Sequence, residues 1–174
     1  MQQYSLFIDG LANPSNTLLV READGAMRPA QRAEILAVAR ELVTIDELRG
    51  EDLSSPDKAM EFLRLRLVGL EHEVCGLMLL DNRFRLIAYL EPFRGTLNQS
   101  VVYPREILKL VLRHNAGALM MVHNHPSGLA EASQADMRLT KAVQQALGFI
   151  DVRLLDHFIV AGAEVVSMAQ RGLL

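Results

Sequence analysis

Apolar residues at Ile35, Val38, Ala39, Leu42 and Ile45 recur at the three- and four-residue spacing that gathers them on one helical face. Pro29 reads as the opening of that helix, because a first turn tolerates a missing N–H. A second helix is predicted from Ser55 as N-cap and Pro56 at the first helical position to about Gly69, with Met60, Leu63, Leu67 and Leu70 on one side. After Glu73 the pattern changes to strands: Val74 to Leu80 and Phe84 to Leu90, about a turn at Asp81-Asn82, read as a β-hairpin. Pro104 to His114 is predicted helical, and Ala118 to Val122 is a short buried strand that delivers His123 at its end. Gln134 to Leu147 follows as a helix stopped by Gly148, and Val152 to Val160 and Glu164 to Met168 close the chain as strands around Ala161-Gly162. Upstream, Asn13-Pro14-Ser15-Asn16 reads as a turn and Thr17 to Val20 as a short strand, while residues up to about Leu11 show no pattern. Apolar β segments alternating with helices imply a sheet packed by helices, an α/β architecture. The polar break from Arg49-Gly50 to Ser55-Pro56 is the boundary candidate, giving a partly helical N-terminal extension, 1–52, and a main domain, 53–174.

The chain has 174 residues, half of them apolar, enough to bury one sizeable core. No apolar run approaches the roughly 20 residues that span a bilayer, so no membrane association is expected. MQQYSLFIDG has neither the basic start nor the continuous apolar stretch of a secretory signal. The single cysteine, Cys75, suits a reducing compartment and, among apolar neighbours, reads as a small core residue and not a nucleophile. The cytoplasm is the expected location. A net charge of −3 gives no global attraction to nucleic acid. Arg105, Lys109 and Arg113, however, recur every four residues on one helix and form a basic stripe. Most such stripes are solvated faces; this one would otherwise suit an acidic partner or a nucleic-acid backbone in weak association.

His123-Asn124-His125-Pro126 followed by Ser133-Gln134-Ala135-Asp136 is the densest chemistry in the chain. In extended backbone His123 and His125 project to the same side. Pro126 and Gly128 then turn the chain, Ser133 is placed as an N-cap, and Asp136 lies in the first helical turn, where the dipole favours negative charge. A strand end and a helix start thereby offer N, N and O donors to one cation with a position left open, as in catalytic zinc sites. Ser133-x-x-Asp136 also reads as a plain capping pair, and a residue can do both. The letters HNH suggest HNH nucleases, but those need a further Asn or His from the following helix, and Gln134 to Leu147 contains neither. Amidohydrolases also carry H-x-H, but in a barrel of about 250 residues.

The pattern H-x-H, seven residues, S, two residues, D resembles the JAMM motif of the JAB/MPN metalloenzymes. HNHPSG, with FRGTLNQSVVYPREILK before it and LLDHFIV after it, resembles the RadC branch of that family, from about Ser55 to the C-terminus. The resemblance implies the MPN fold, a curved mixed β-sheet flanked by helices with cytidine-deaminase-like layering, here with a short helical N-terminal extension. It implies one Zn2+ per chain, held by His123, His125 and Asp136. Glu73, in Glu73-Val74-Cys75-Gly76-Leu77-Met78, takes the family's general-base role, with Glu71 its near rival. Full-length RadC-like proteins usually carry an N-terminal helical module with a helix-hairpin-helix look. Only about fifty residues precede the matching block here, without a hairpin glycine signature, and a DNA role argued from that module loses its support.

The expected function is hydrolysis of a peptide, isopeptide or related amide bond by a metal-activated water, in an unidentified protein or peptide substrate. Glu73 would accept the water proton, and Ser133 would donate a hydrogen bond to the water or the developing oxyanion. Asp156 or His157 would orient a metal ligand, or else be a capped or paired strand residue. The competing reading is a DNA repair or recombination accessory in which the metal is structural; a base poised beside the metal argues against it. Phosphodiester hydrolysis with the stripe on the backbone is a third, less suited to a single metal.

Overall fold

The computed structural model describes residues 6–8, 18–42, 50, 53, 55–95 and 102–174, in two units, 1–44 and 45–174. The predicted turn at Asn13–Asn16, Thr17, Ile45 and most of the polar break lie outside the described residues.

The first unit contains β1 (Leu6–Ile8), β2 (Leu18–Arg21), β3 (Met27–Pro29) and α1 (Arg32–Leu42). The three strands form an antiparallel sheet in the order β1-β2-β3, so this segment is not simply helical. Pro29 does not open the helix. It ends the edge strand β3, where the lack of an N–H is tolerated, and the helix begins three residues later. Glu34 fixes that start: one of its oxygens accepts from Gln31 N at 2.8 Å, and Arg28 forks onto both at 2.6 and 2.8 Å. The hydrogen-bonded Arg28 guanidinium holds the Glu34 carboxyl down at about 2. Ile35, Val38 and Ala39 are half-buried, but so are Glu34, Leu36 and Ala37, so burial does not single out the predicted face.

The second unit is built on a five-stranded mixed sheet in the order β5-β4-β6-β7-β8, comprising β4 (Val74–Leu80), β5 (Leu86–Arg94), β6 (Ala118–Asn124), β7 (Arg153–Ala161) and β8 (Glu164–Ser167). Only β6 and β7 run parallel, a pairing that needs a crossover; α4 (Gln134–Gly148) supplies it. Every residue of β4 and β6 is buried, as expected of strands covered on both faces. Cys75, Leu77, Leu79, Leu119 and Met121 pack on one face with Ile107 and Val111 of α3 (Pro104–Arg113) and with Val143 and Leu147 of α4. The opposite face meets α2 (Pro56–Leu67), which buries Ala59, Phe62, Leu63 and Leu67 and lies over β6, β7 and β8. This mixed sheet layered between helices is the MPN/JAB-like arrangement.

Local chemistry accounts for the departures. Ser55 occupies the N-cap of α2 in extended backbone, but its side chain makes no capping bond, leaving Pro56 as the start signal. The hairpin's second strand begins at Leu86, not Phe84. The Asp81 carboxylate accepts from the backbone of Arg83 and Arg85, and Phe84 turns through φ +61°, outside a strand conformation. Gly76 in β4 makes room for a neighbouring strand's side chain: a Cβ there would lie 2.7 Å from Tyr89 Oη and 2.9 Å from Val122 Cγ1. Gly76→Ala is therefore expected to destabilise the fold by about 1–3 kcal/mol, read as a lowered denaturation midpoint. An unchanged midpoint would contradict this packing.

Candidate metal centre

The C-terminal end of β6 sets the centre's floor. His123 is buried, its backbone paired with Cys75 of β4 and Ile159 of β7. His125, just beyond the strand, is held by its N–H to Val160 O at 2.8 Å and shares a side with His123, as alternation requires. The chain then turns through Gly128, whose φ of +83° suits glycine. Ala130 anchors the returning loop in a small cluster with Ala161 and Val166. Ser133 and Asp136 open α4 as a capping box: Ser133 Oγ accepts from Asp136 N at 3.2 Å, and Asp136 Oδ2 accepts from Ser133 N at 2.7 Å. The capping reading holds for the pair, and Asp136 also faces the two histidines.

One donor atom each from His123, His125 and Asp136 lies within 4.8 Å of the others. The two Nε2 atoms face each other at 2.8 Å, with Asp136 Oδ1 3.3 Å from the first and Oδ2 3.6 Å from the second. The opposite nitrogens are engaged elsewhere: His125 Nδ1 donates to Leu129 O at 2.8 Å, and His123 Nδ1 meets His157 Nε2 at 2.9 Å. A carbonyl only accepts, so neutral His125 carries its proton on Nδ1 and presents a lone pair at Nε2. Two converging imidazole nitrogens beside a carboxylate call for a positive charge between them. This donor set fits a metal ion and suits zinc.

The electrostatics agree. Burial opposes charge on Asp136, but hydrogen bonds with His123 and His125, and then Ser133, outweigh it and hold the carboxyl far below the usual carboxylate range. For His125, the Asp136 hydrogen bond raises proton affinity above that of an ordinary histidine against the effect of burial, with the Leu129 carbonyl and the charges of Asp136 and Glu73 adding to it. Burial, followed by repulsion from His123, pushes His157 down to about 3, so that ring is neutral near neutral pH. Burial raises the Cys75 thiol to about 12, with the charges of Glu73 and Asp136 contributing; a thiol of that kind is no nucleophile.

Glu73 immediately precedes β4, half-buried, and lies outside the three-donor group. Its charge bears on both His125 and Cys75, placing it near the centre; Glu71 is exposed. Asn124, which sequence reasoning passed over as a letter between two histidines, fixes this segment. Its side chain donates to His72 O at 3.0 Å and accepts from Val74 N at 2.8 Å, bracketing Glu73 on both sides. The structure also separates the Asp156-His157 pair. His157 meets His123. Asp156 instead accepts from the N–H groups of His157 and Ala169 at 2.7 and 3.0 Å and from the Ser167 hydroxyl, closing the turn after β8. The stripe on α3 is partly neutralised from within, with Glu106 3.5 Å from Arg105 and 2.8 Å from Lys109.

Comparison with known proteins places these residues in context. A family model described as a RadC-like JAB domain matches residues 53–173. A UPF0758 protein of Cellvibrio japonicus is 47% identical over 150 residues, covering 86% of this chain and 67% of that protein. Another, of Leptothrix cholodnii, is 50% identical over 149 residues, with coverages of 84% and 67%. A third, of Shewanella putrefaciens, is 41% identical over 162 residues, with coverages of 93% and 72%. The chain spans roughly two-thirds of the length of these relatives, whose names state no reaction.

Proposed function

The chain belongs to the RadC-like JAB domain family, and we propose that it is a zinc-dependent hydrolase of peptide, isopeptide or related amide bonds. The observation that carries this reading is the convergence of two imidazole nitrogens and a carboxylate at the end of β6. His123, His125 and Asp136 would hold the ion. When bound, zinc lowers the pKa of water from about 15.7 toward about 7 and polarises a carbonyl. Glu73 accepts the proton of the attacking water and passes it to the leaving amine. Ser133 keeps its hydroxyl proton while its oxygen caps α4, and donates that proton toward the developing oxyanion. The cytoplasm is the setting we propose. No helix among the described residues is long and apolar enough to cross a membrane.

A DNA accessory role would rest on Arg105, Lys109 and Arg113, and the internal pairing of that stripe with Glu106 weakens it. The reading is tested by incubating the zinc-loaded protein with peptide and isopeptide-linked substrates before and after chelation. Cleavage lost on chelation and regained with zinc is expected; cleavage indifferent to chelator would overturn it. Tight, salt-sensitive DNA binding abolished by charge reversal at all three stripe positions would favour the accessory role instead.

A further inference from the structure

The paired residues of β4 and β6 end at Cys75 and His123. One position further along β6, the side chain of Asn124 supplies the next link: Nδ2 donates to His72 O at 3.0 Å, and Oδ1 accepts from Val74 N at 2.8 Å. A carbonyl only accepts and a backbone N–H only donates, so these two partners fix which way round the amide lies. A strand residue in a parallel ladder makes the same pair of bonds, to the carbonyl before and the N–H after the residue opposite it. The residue so framed here is Glu73. On its other edge, Glu73 O accepts from Gly95 N at 2.8 Å. Glu73 is thus clamped at both edges as if inside the sheet, although β4 starts only at Val74. Side chains of such backbone alternate faces, so Glu73 falls on the side of Cys75, which lies opposite His123. Its charge bears on Cys75 and on His125. Asn124 itself is buried.

We propose that Asn124 is a positioning residue for the hydrolysis: standing between the two histidines on β6, it holds the 72–74 segment, and with it Glu73, at a fixed place against the metal-binding side chains. The proposal rests on the hydrolase reading above. It adds that base and ligands are registered to one another by a side-chain amide, where the backbone pairing has already ended.

Asn124→Ala removes both bonds. Asn124→Asp keeps the shape and the acceptor for Val74 N but sets a carboxylate oxygen against His72 O, and it carries the kinetic test should the alanine variant not fold. Zinc content should stay at about one per chain. KM should stay within about twofold while kcat falls by roughly 10²-fold, the effect of a misplaced group. In a Glu73→Gln background the same substitutions should lower kcat by no more than about a further twofold, since they act through a base already removed. Undiminished kcat, loss of zinc, or equal losses with and without Glu73 would overturn the proposal. Amide hydrogen exchange in the metal-free protein reads the same clamp without activity. Asn124→Ala should speed exchange at Val74 by roughly tenfold or more while Leu77 to Leu79 stay protected; an unchanged rate at Val74 would also overturn it. Should the parent protein cleave no peptide or isopeptide, the hydrolase reading fails by itself, and exchange at Val74 still decides whether Asn124 holds the segment.

Discussion

Replacing Glu73 by Gln is expected to leave the metal content unchanged and to lower turnover by roughly 10²–10⁴-fold, the usual contribution of a positioned general base. The substitution keeps the shape and hydrogen-bonding reach of the side chain but removes its capacity to take a proton. The surrounding backbone holds in either case: Asn124 bridges His72 and Val74, and Gly95 N donates to Glu73 O at 2.8 Å. Elemental analysis beside a cleavage assay separates the outcomes. Loss of metal would make Glu73 a ligand, and undiminished cleavage would pass the role to Glu71 or to no glutamate.

The second large effect is on metal itself. The parent protein should hold about one zinc per chain, and the double substitution His123→Ala, His125→Ala should hold none. Full occupancy in that variant would refute the ligand assignment. Acid should act in the same direction. Without metal, His125 keeps its proton to a higher pH than an ordinary histidine, chiefly through its hydrogen bond to Asp136, and that proton competes for Nε2. Zinc uptake should therefore weaken as pH falls through the raised value, with a proton released for each ion bound there. The linkage to folding has the opposite sign. In the metal-free protein the raised value contributes stability that is present below the unfolded histidine value and lost as pH rises through the folded one.

Much of the centre was legible because its ligands are local. His123-x-His125 needs only strand alternation, and Ser133-x-x-Asp136 needs only the geometry of a first helical turn. The partners of those ligands were legible only in part. Thr140 reads as an ordinary helix position, and the pair Asp156-His157 reads either as orienting a ligand or as a capped or paired strand residue, with nothing local to say which of the two faces His123. What brings Thr140 and His157 together is the parallel docking of β6 on β7 with α4 laid across, an arrangement that no window of sequence contains. Of the N-terminal strands, the expected Thr17 to Val20 segment matches β2 at Leu18–Arg21, but β1 and β3 were missed for another reason: three residues are too few for a period to show, and Pro29 is equally suited to a first helical turn and to an edge strand. At the hairpin, the Asp81 carboxylate and the positive φ of Phe84 overrode an apolar run that suggested an earlier strand start.

The contacts that assemble the centre span long stretches of chain. Asn124 reaches Val74 across 50 positions, and His123 reaches His157 across 34. Contacts of such separation form slowly, because loop closure costs entropy before any contact rewards it. On a translating ribosome, His123, His125 and Asp136 emerge well before residue 157, and during that interval His123 lacks its contact with His157. Ligands that a nascent chain exposes early gain their full set of contacts only after β7 has docked beside β6.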